Sequence, residues 1–351
     1  MKQKWATKLA ASFLGLMLVM AGCATPEEEA ETSSASSQTQ ESSVSQESEN
    51  EETGLPAALT VGVLKGPTGL GALQVMEEAE DDDNLQIDVY TSSDEMVSAL
   101  SSGSVDAACL PTNLAANLYQ KTKGGVKIAC VNTLGILSVV TNGETVNSIA
   151  DLKGKTVVSS GQGGVPEFAF NYILEQNGLE AGKDVTVTYL SEHSEVAQQL
   201  MAGDATIAVL PEPFVTQVTT KQPDCQVALD LTEEWDKVAD GSVLSMGCLV
   251  VSSDYLEDET NKDAFDKFLS LYQKSVDFVN ANPEQAGQLS ETYSIMEAAV
   301  TEKAIPRCNI VYIAGKEMKE GLTPFWNVLY ESNPASIGGA LPDDSFYYEA
   351  E

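Results

Sequence analysis

Several residue types that build reactive or metal sites are scarce in this 351-residue chain. It has one histidine, His193, one arginine, Arg307, and six cysteines with no Cys-x-x-Cys pair. A single histidine excludes a metal site built from several imidazoles. No apolar run is long enough to span a membrane as a mature helix, since the longest covers only residues 9–20. The composition therefore predicts neither a metalloenzyme nor an integral membrane protein.

The amino-terminal segment has the composition of an export signal. Three lysines (Lys2, Lys4, Lys8) precede the apolar run, and Met20-Ala21-Gly22-Cys23 follows it. Residues 1–22 resemble a bacterial lipoprotein signal peptide, which implies a mature chain that starts at Cys23 and is lipidated there. An uncleaved membrane anchor is the alternative. The resemblance places the protein outside the cytoplasm, lipid-anchored to the outer face of the cell membrane.

The chain beyond Cys23 divides by composition into a tether and a folded region. Residues 23–54 contain nine acids, no base and almost nothing to bury, so we expect a disordered tether. Of the net charge of −34, the three signal lysines and the nine tether acids leave −28 for residues 55–351. So acidic a surface repels nucleic acid and anionic lipid, and neither is an expected partner.

The remaining five cysteines each lie within an apolar, strand-like run. Their number is odd, and this placement favours buried free thiols over a disulfide framework. The five residues are Cys109, Cys130, Cys225, Cys248 and Cys308.

A repeat organises the folded region. Residues 97–118 return at 196–218, with Leu100, Gly103 and Pro111 matching Leu200, Gly203 and Pro211 at an offset of one hundred. Each copy predicts a helix ended by a left-handed glycine, a buried parallel strand, and a second helix that begins at the proline. Ligands of open α/β sheets bind at the carboxyl ends of such strands, so two copies predict two lobes with a cleft between them. Chance similarity within one doubly wound sheet is the alternative.

Alternating strand and helix signals extend this pattern and predict mainly parallel sheets. Strands are predicted at 59–65, 85–90, 127–132, 136–141, 155–160, 185–190, 225–229, 246–252 and 309–313, and helices at about 70–80, 148–152 and 165–177.

Short motifs give this order a family resemblance. They are Leu64–Gly69, Leu100-x-x-Gly103-x-x-Asp106, Ile149-x-x-Leu152-Lys153-Gly154-Lys155 and Leu200-x-x-Gly203. With them the chain resembles type 2 solute-binding proteins of ABC importers, in the branch for nitrate, taurine, alkanesulfonates and thiamine-pyrimidine precursors. The resemblance implies an α/β fold of two lobes joined by two crossover segments. By pattern, lobe I is 55–141 plus 247–351 and lobe II is 142–246.

The resemblance also implies a function. A small solute is captured in the cleft and passed to a permease and its ATPase, with no cofactor, no metal and no catalytic residue. The solute would be sulfonate-like or nitrate-like, or pyrimidine-like. An enzyme of thiamine-pyrimidine metabolism on the same fold is the alternative, although the family's CCCFC motif is absent. A surface adhesin is a third possibility.

Two loops offer backbone N–H groups before a helix, and both are candidate anion cradles. The first contains Gly66, Pro67, Thr68 and Gly69, and the second contains Ser160, Gly161, Gln162 and Gly163. Ordinary tight turns are the alternative for both. The second loop is not a P-loop, because no Lys-Ser/Thr follows its glycines.

The remaining candidates carry polar side chains near strand ends. They are Thr112, Asn113, Asn132, Thr133, His193 and Glu212. Asn113 can hydrogen-bond a ligand, and Glu212 either receives an amine or complements a helix N-terminus. His193 either contacts ligand or belongs to a solvated helix cap, and Asn132 with Thr133 lies at a predicted kink.

Arg307 bears on the kind of solute. We expect it to lie away from the cleft, so that no guanidinium fork is available for a carboxylate. This favours an oxyanion held by N–H groups or a neutral ring. Phe168, Phe214 and Trp235 lie near the cleft loops and either stack on a ring or pack in the core.

Overall fold

A computed structural model of the chain describes residues 54–239 and 241–350. The predictions for the signal peptide, for Cys23 and for the tether up to residue 53 lie outside the described residues. None of the described helices is long and apolar enough to cross a membrane.

Two sheets form the framework. Their strands are β1 Leu59–Leu64, β2 Leu85–Tyr90, β3 Ala107–Pro111, β4 Val126–Leu134, β5 Leu137–Asn142, β6 Thr156–Ser160, β7 Thr186–Leu190, β8 Ile207–Pro211, β9 Cys225–Asp230, β10 Ser245–Ser252 and β11 Ile310–Ala314. The first sheet has the order β11-β4-β10-β3-β1-β2, and the second has the order β7-β6-β8-β5-β9.

Helices cover both sheets. They are α1 Pro67–Gly71, α2 Leu73–Glu78, α3 Ser93–Ser102, α4 Thr112–Thr122, α5 Val165–Gln176, α6 His193–Ala202, α7 Phe214–Lys221, α8 Leu231–Asp236, α9 Glu259–Ala281, α10 Pro283–Thr292, α11 Ala298–Ala304 and α12 Gly315–Ser332. Short 3₁₀ turns lie at Ile149–Leu152, Tyr255–Glu257, Ile305–Arg307, Pro334–Ile337 and Asp344–Phe346.

The repeat is present as predicted. It forms α3-β3-α4 and α6-β8-α7, and both first helices end at a glycine in the left-handed region, Gly103 at φ 72° and Gly203 at φ 81°. β3 pairs in parallel with β1, and β8 pairs in parallel with β6. The copies differ after the strand. Pro111 is the N-cap of α4, whereas Pro211 ends β8 and Pro213 is the N-cap of α7.

The two sheets have equivalent strand orders. The order β9-β5-β8-β6-β7 of the second sheet corresponds to β4-β10-β3-β1-β2 of the first, and β11 is an additional edge strand. Most strands within each sheet run in the same direction. The exceptions are β10 and β11 in the first sheet and β5 in the second, which pair antiparallel with their neighbours. β5 and β10 occupy equivalent places, each beside the repeat strand of its sheet. The chain thus passes from one sheet to the other by way of these two strands. The predicted α/β architecture of two mainly parallel sheets is confirmed.

One predicted crossing is wrong. β5, residues 137–142, pairs with β8 and β9 in the second sheet, so the chain changes sheets at Gly135–Ile136 and not near Thr141–Asn142. The alternating apolar pattern of β5 marks a strand but does not say which sheet it joins. The return, predicted near 245–247, coincides with the start of β10 at Ser245.

Two further local predictions need correction. The helix expected from about residue 70 begins earlier, at Pro67, directly after its N-cap Gly66 at φ 134°. It is interrupted at Ala72, which separates α1 from α2. At the kink expected at Asn132–Gly135 the strand does not end, but its register with β10 shifts between Val131 and Thr133, so Asn132 lies at an irregularity of the pairing. β4 continues through Asn132 and Thr133 to Leu134, where it pairs with β10.

The core fills the space between sheets and helices. Its largest fully buried side chains include Trp235, Phe265, Phe268 and Phe325. Trp235 donates its indole N–H to the Ser242 carbonyl at 2.9 Å and contacts the Phe325 ring, so it is a core residue. The alternative role for Trp235, stacking on a solute, is therefore not supported.

Candidate functional site

One group of predicted residues meets at the carboxyl ends of β1 and β4. Thr68, Asn132 and Thr133 are buried and converge on Gly247 of β10. A Cβ atom at Gly247 would lie 2.7 Å from Asn132 Oδ1 and 3.3 Å from both Thr133 Oγ1 and Thr68 Cγ2. Glycine is therefore required for these three polar side chains to come together.

The loop after β3 lies beside this group. Thr112 Oγ1 is 3.0 Å from Ser245 Oγ, at the beginning of β10. Asn113 follows in the first turn of α4 and is fully buried. The structure therefore brings together five of the polar side chains that the sequence marks at the end of the first sheet.

The Gly66–Gly69 segment uses its polar groups locally. Thr68 Oγ1 donates to the Leu64 carbonyl and accepts from the Leu64 N–H, both at 3.2 Å. Gly66 accepts from the Leu70 N–H at 2.9 Å, so its carbonyl begins the helix. Pro67 has no N–H to offer. This segment fixes the end of β1 in place.

In the second sheet, the ends of β6 and β7 meet through a short contact. Ser160 Oγ is 2.5 Å from His193 Nδ1, and the Phe214 ring lies 5.6 Å from the imidazole. Burial disfavours the imidazolium and lowers the pKa of His193 to about 4. His193 is therefore neutral at pH 7. It is half-buried at the first position of α6, where the exposed Glu192 is the N-cap and Glu195 completes a capping box, so the contact with Ser160 and the solvated helix cap are both present.

The glycine-rich loop after β6 engages its N–H groups internally. The Gly163 N–H donates to Glu167 Oε2 at 2.6 Å, and the Gly164 N–H donates to the Gly161 carbonyl at 2.9 Å. Glu167 thereby places a carboxylate at the N-terminus of α5. Gln162 is exposed. An anion would have to displace Glu167 to use this helix end.

Glu212 pairs with Arg307, the residue expected to lie away from the cleft. Its buried carboxylate accepts from Arg307 Nε at 2.8 Å, and from the Thr216 N–H and hydroxyl at 3.0 and 2.7 Å. Arg307 Nη2 also donates to Thr216 Oγ1. The expectation that Arg307 lies away from the cleft is wrong. Because β11 runs antiparallel to β4, the turn that precedes β11 brings Arg307 to the end of β4.

Three contacts join the end of the first sheet to the end of the second. Asn113 Nδ2 donates to the Gly163 carbonyl at 2.9 Å, and Arg307 pairs with Glu212. Asn309 Nδ2 donates to the Gly135 carbonyl at the chain crossing. Further from the centre, Lys221 of α7 pairs with Glu297 beside α11 at 2.7 Å. The carboxyl ends of the two sheets are therefore in direct contact.

Several residues of this arrangement were not predicted. Ser245, Gly247, Arg307 and Ser336 all contact predicted residues. The sole arginine of an acidic chain was a usable signal for Arg307. The Tyr272 hydroxyl, beside the Cys109 thiol and the Asn132 amide, had no such signal in its helical surroundings.

The cysteines in the part of the chain that the structure describes lack the exposure and lowered pKa of a reactive thiol. All five cysteines among the described residues are free and buried, as predicted. Burial raises the pKa of the Cys109 thiol to about 12, and it raises the pKa of the Cys130, Cys248 and Cys308 thiols further. Such thiols are inert at neutral pH. Within residues 54–239 and 241–350, no cluster of His, Cys, Asp and Glu is arranged to hold a metal ion.

A comparison with protein families decides the relationship. Residues 73–263 match the family model for the phosphonate periplasmic substrate-binding protein of ABC transporters. The chain belongs to this family. The expected resemblance to ABC-importer binding proteins is thereby confirmed.

Individual relatives agree with the family. A binding protein of Brucella abortus is 25% identical over 220 residues, which cover 61% of this chain and 63% of the relative. The match thus spans less than two thirds of that relative's length. A crystal structure of an ABC transporter protein from Parabacteroides distasonis is 25% identical, with a TM-score of 0.69 over 84% of this chain and 100% of that chain.

The fold extends to more distant proteins. The periplasmic aliphatic sulphonate binding protein of Escherichia coli is 16% identical, with a TM-score of 0.65 over 84% of this chain and 93% of that chain. At this identity the likeness concerns the fold alone.

Proposed function

We propose that this protein is the solute-binding component of an ABC importer and that it captures a small solute between the two sheets. The first sheet with its helices would form lobe I and the second would form lobe II. The solute would contact both lobes only when they are closed, and the closed form would deliver it to a permease and its ATPase. Membership of the substrate-binding family is the observation that carries the proposal.

The geometry supports the position of the site. Buried polar side chains are costly unless they serve structure or ligand, and here they gather at the carboxyl ends of both sheets. Thr68, Asn132 and Thr133 lie on one side. Ser160 and His193 lie on the side of the second sheet. Asn113 connects the two sides, since its side chain comes from the first sheet and donates to the Gly163 carbonyl of the second. The other predicted residues would line the entrance to the site or hold its loops in position. They are Gly66, Pro67, Gly69, Thr112, Gly161, Gln162 and Glu212.

The solute classes follow from the family and from the charges at the site. The family description names phosphonates, and the Escherichia coli structure is that of a sulphonate binder. The site offers neutral hydrogen-bonding groups, and its guanidinium is already paired with Glu212. A small phosphonate, sulfonate or nitrate ion, or a neutral pyrimidine, is the range to test.

The test is a thermal-shift screen of residues 55–351 against these classes, followed by calorimetry on any compound that raises the melting temperature. We expect at least one class to bind with micromolar or tighter affinity. Replacing Gly247 with Val should abolish that binding, because its side chain would occupy the space between Asn132 and Thr68. Binding that is unchanged in Gly247→Val would move the site elsewhere.

The location is the second part of the proposal. The Met20–Cys23 motif supports export and lipidation of Cys23, which would hold the domain at the outer face of the cell membrane through the tether. Cys23→Ser should release the full-length protein from the membrane fraction and should abolish incorporation of a lipid label. Membrane retention of Cys23→Ser would contradict the lipid anchor without affecting solute binding.

A further inference from the structure

Asn113 is the point at which the two sheets and the carboxyl-terminal segment meet. It lies in the first turn of α4, and its side chain is fully buried. Nδ2 donates to the Gly163 carbonyl at 2.9 Å, in the loop after β6, and to the Ser336 carbonyl at 3.3 Å. An amide nitrogen has two hydrogens to donate, so both are in use.

These two contacts also fix the orientation of the amide. Both partners are carbonyl oxygens, which can only accept hydrogen bonds. A flipped amide would place Oδ1 against Gly163 O and Ser336 O, and the two pairs of oxygens would repel. Nδ2 therefore faces Gly163 and Ser336, and Oδ1 points away from both.

Oδ1 is left without a partner. Among the residues that the structure describes, none donates a hydrogen bond to this oxygen, although its surface is buried. A buried acceptor with no donor loses the hydrogen bonds that water would give it and destabilises the protein. The Gly163 N–H, in the loop that Asn113 contacts, is already held by Glu167.

We infer that the solute carries an N–H or O–H group and donates it to Asn113 Oδ1 when the site closes. The inference rests on the proposed function, because it specifies the solute of that same site. A bare oxyanion such as nitrate or methanesulfonate has no hydrogen to donate and would leave Oδ1 unsatisfied. The solute is therefore a small compound that carries an amine, amide, ring N–H or hydroxyl group at the end that faces Asn113.

Matched pairs of compounds test this class by calorimetry on the wild-type protein. Each pair exchanges a donor for a methyl group: isethionate against propane-1-sulfonate, 2-aminoethylphosphonate against propylphosphonate, and 4-aminopyrimidine against 4-methylpyrimidine. In the pair that binds, the donor-bearing member should bind at least about tenfold more tightly. Equal affinities within that pair would overturn the inference and leave the proposed function standing.

A pair of variants assigns the preference to Asn113. Asn113→Leu keeps a similar volume and removes the acceptor, so the ratio of affinities within the pair should fall to about one. Asn117→Leu is the control, since Asn117 lies one turn further along α4 and donates from an exposed position to the Ala335 carbonyl at 3.1 Å. Its ratio should equal that of the wild type.

The remaining outcomes are distinct. A preference that persists in Asn113→Leu would overturn the role of Oδ1. Binding by none of the six compounds would contradict the proposed solute classes and the inference together. If Asn113→Leu fails to fold, as judged by circular dichroism, the compound pairs on the wild type decide the question alone.

Discussion

His193 is a residue whose role depends on its protonation state. Its pKa falls to about 4 because the ring is packed between Ser160 and Phe214. The pKa in the unfolded chain is about 6.5, so the unfolded state takes up a proton first as the pH falls. The neutral ring therefore contributes stability that is fully present above about pH 6.5 and is lost as the pH falls from there towards 4.

This linkage predicts a pH-dependent difference between the wild type and His193→Gln, which keeps a hydrogen-bonding partner for Ser160 but does not titrate. Between pH 7.5 and pH 5, the wild type should lose about 1–2 kcal/mol more of its unfolding free energy than the variant. Urea titrations at both pH values measure the difference. Both proteins contain the same carboxylates, so the effect of carboxylate titration on stability cancels in the comparison. If the two proteins lose the same unfolding free energy, His193 is protonated as readily in the folded state as in the unfolded state.

Single residues also differ in how far their structural roles can be predicted from the sequence. Gly103 and Gly203 could be placed in the left-handed region because the signal is local. Glu212 and Arg307 lie 95 residues apart, and their pairing depends on the direction of β11 beside β4. Nothing near either residue in the sequence specifies that direction. The candidate residues were therefore found more readily than their partners.

At the scale of elements, the repeat and nearly all strands could be predicted, because periodicity and glycine caps are local properties. Sheet membership could not. β5 has the same apolar pattern as its neighbours, but it joins the second sheet because β8 and β9 flank it there. The carboxyl-terminal strap, residues 333–348, was also missed, since it consists of short turns without periodicity.

The strap holds α4 and hence the site. Asn113 and Asn117 of α4 donate to the Ser336 and Ala335 carbonyls, and the Tyr348 N–H donates to Ile128 O of β4 at 2.8 Å. Gly338 lies directly on α4. A Cβ atom there would be 2.7 Å from Gln120 Cβ and 3.3 Å from Asn117 Cα.

Gly338→Ala should therefore lift the strap from α4. We expect a loss of about 1–3 kcal/mol in unfolding free energy from the steric clash. Solute binding should weaken as well, because Ser336 helps to orient Asn113. Gly339→Ala is a matched control, since Gly339 has φ 91° against 82° for Gly338 but no atom within 4 Å of its added Cβ. Equal losses in the two variants would assign the effect to backbone strain alone.

At the scale of the whole molecule, ionic and polar contacts connect the two proposed lobes. Arg307 pairs with Glu212, whose side chain is 5% exposed against 57% for Arg307, and Lys221 pairs with Glu297. Removal of Arg307 would leave the buried Glu212 carboxylate with only its hydrogen bonds from Thr216, so loss of this pair should cost more than loss of the surface pair Lys221–Glu297. If the lobes open as proposed, these contacts would break, and they would then favour the closed form before any solute binds.

The double variant Lys221→Gln/Arg307→Gln should therefore be more open than the wild type without solute, as a larger radius of gyration in small-angle scattering. Its solute affinity should be about three- to thirtyfold weaker, because closure must be driven by the solute alone. Lys183→Gln/Lys316→Gln is the control: it removes the same charge from pairs, with Glu180 and Glu320, that lie within single elements or loops. Since both proteins lose two positive charges, a change in the control of the same size would assign the effect to net charge.

Saturating solute should reduce the radius of gyration of the double variant to that of the liganded wild type, and a variant that stays expanded would contradict closure as the binding step.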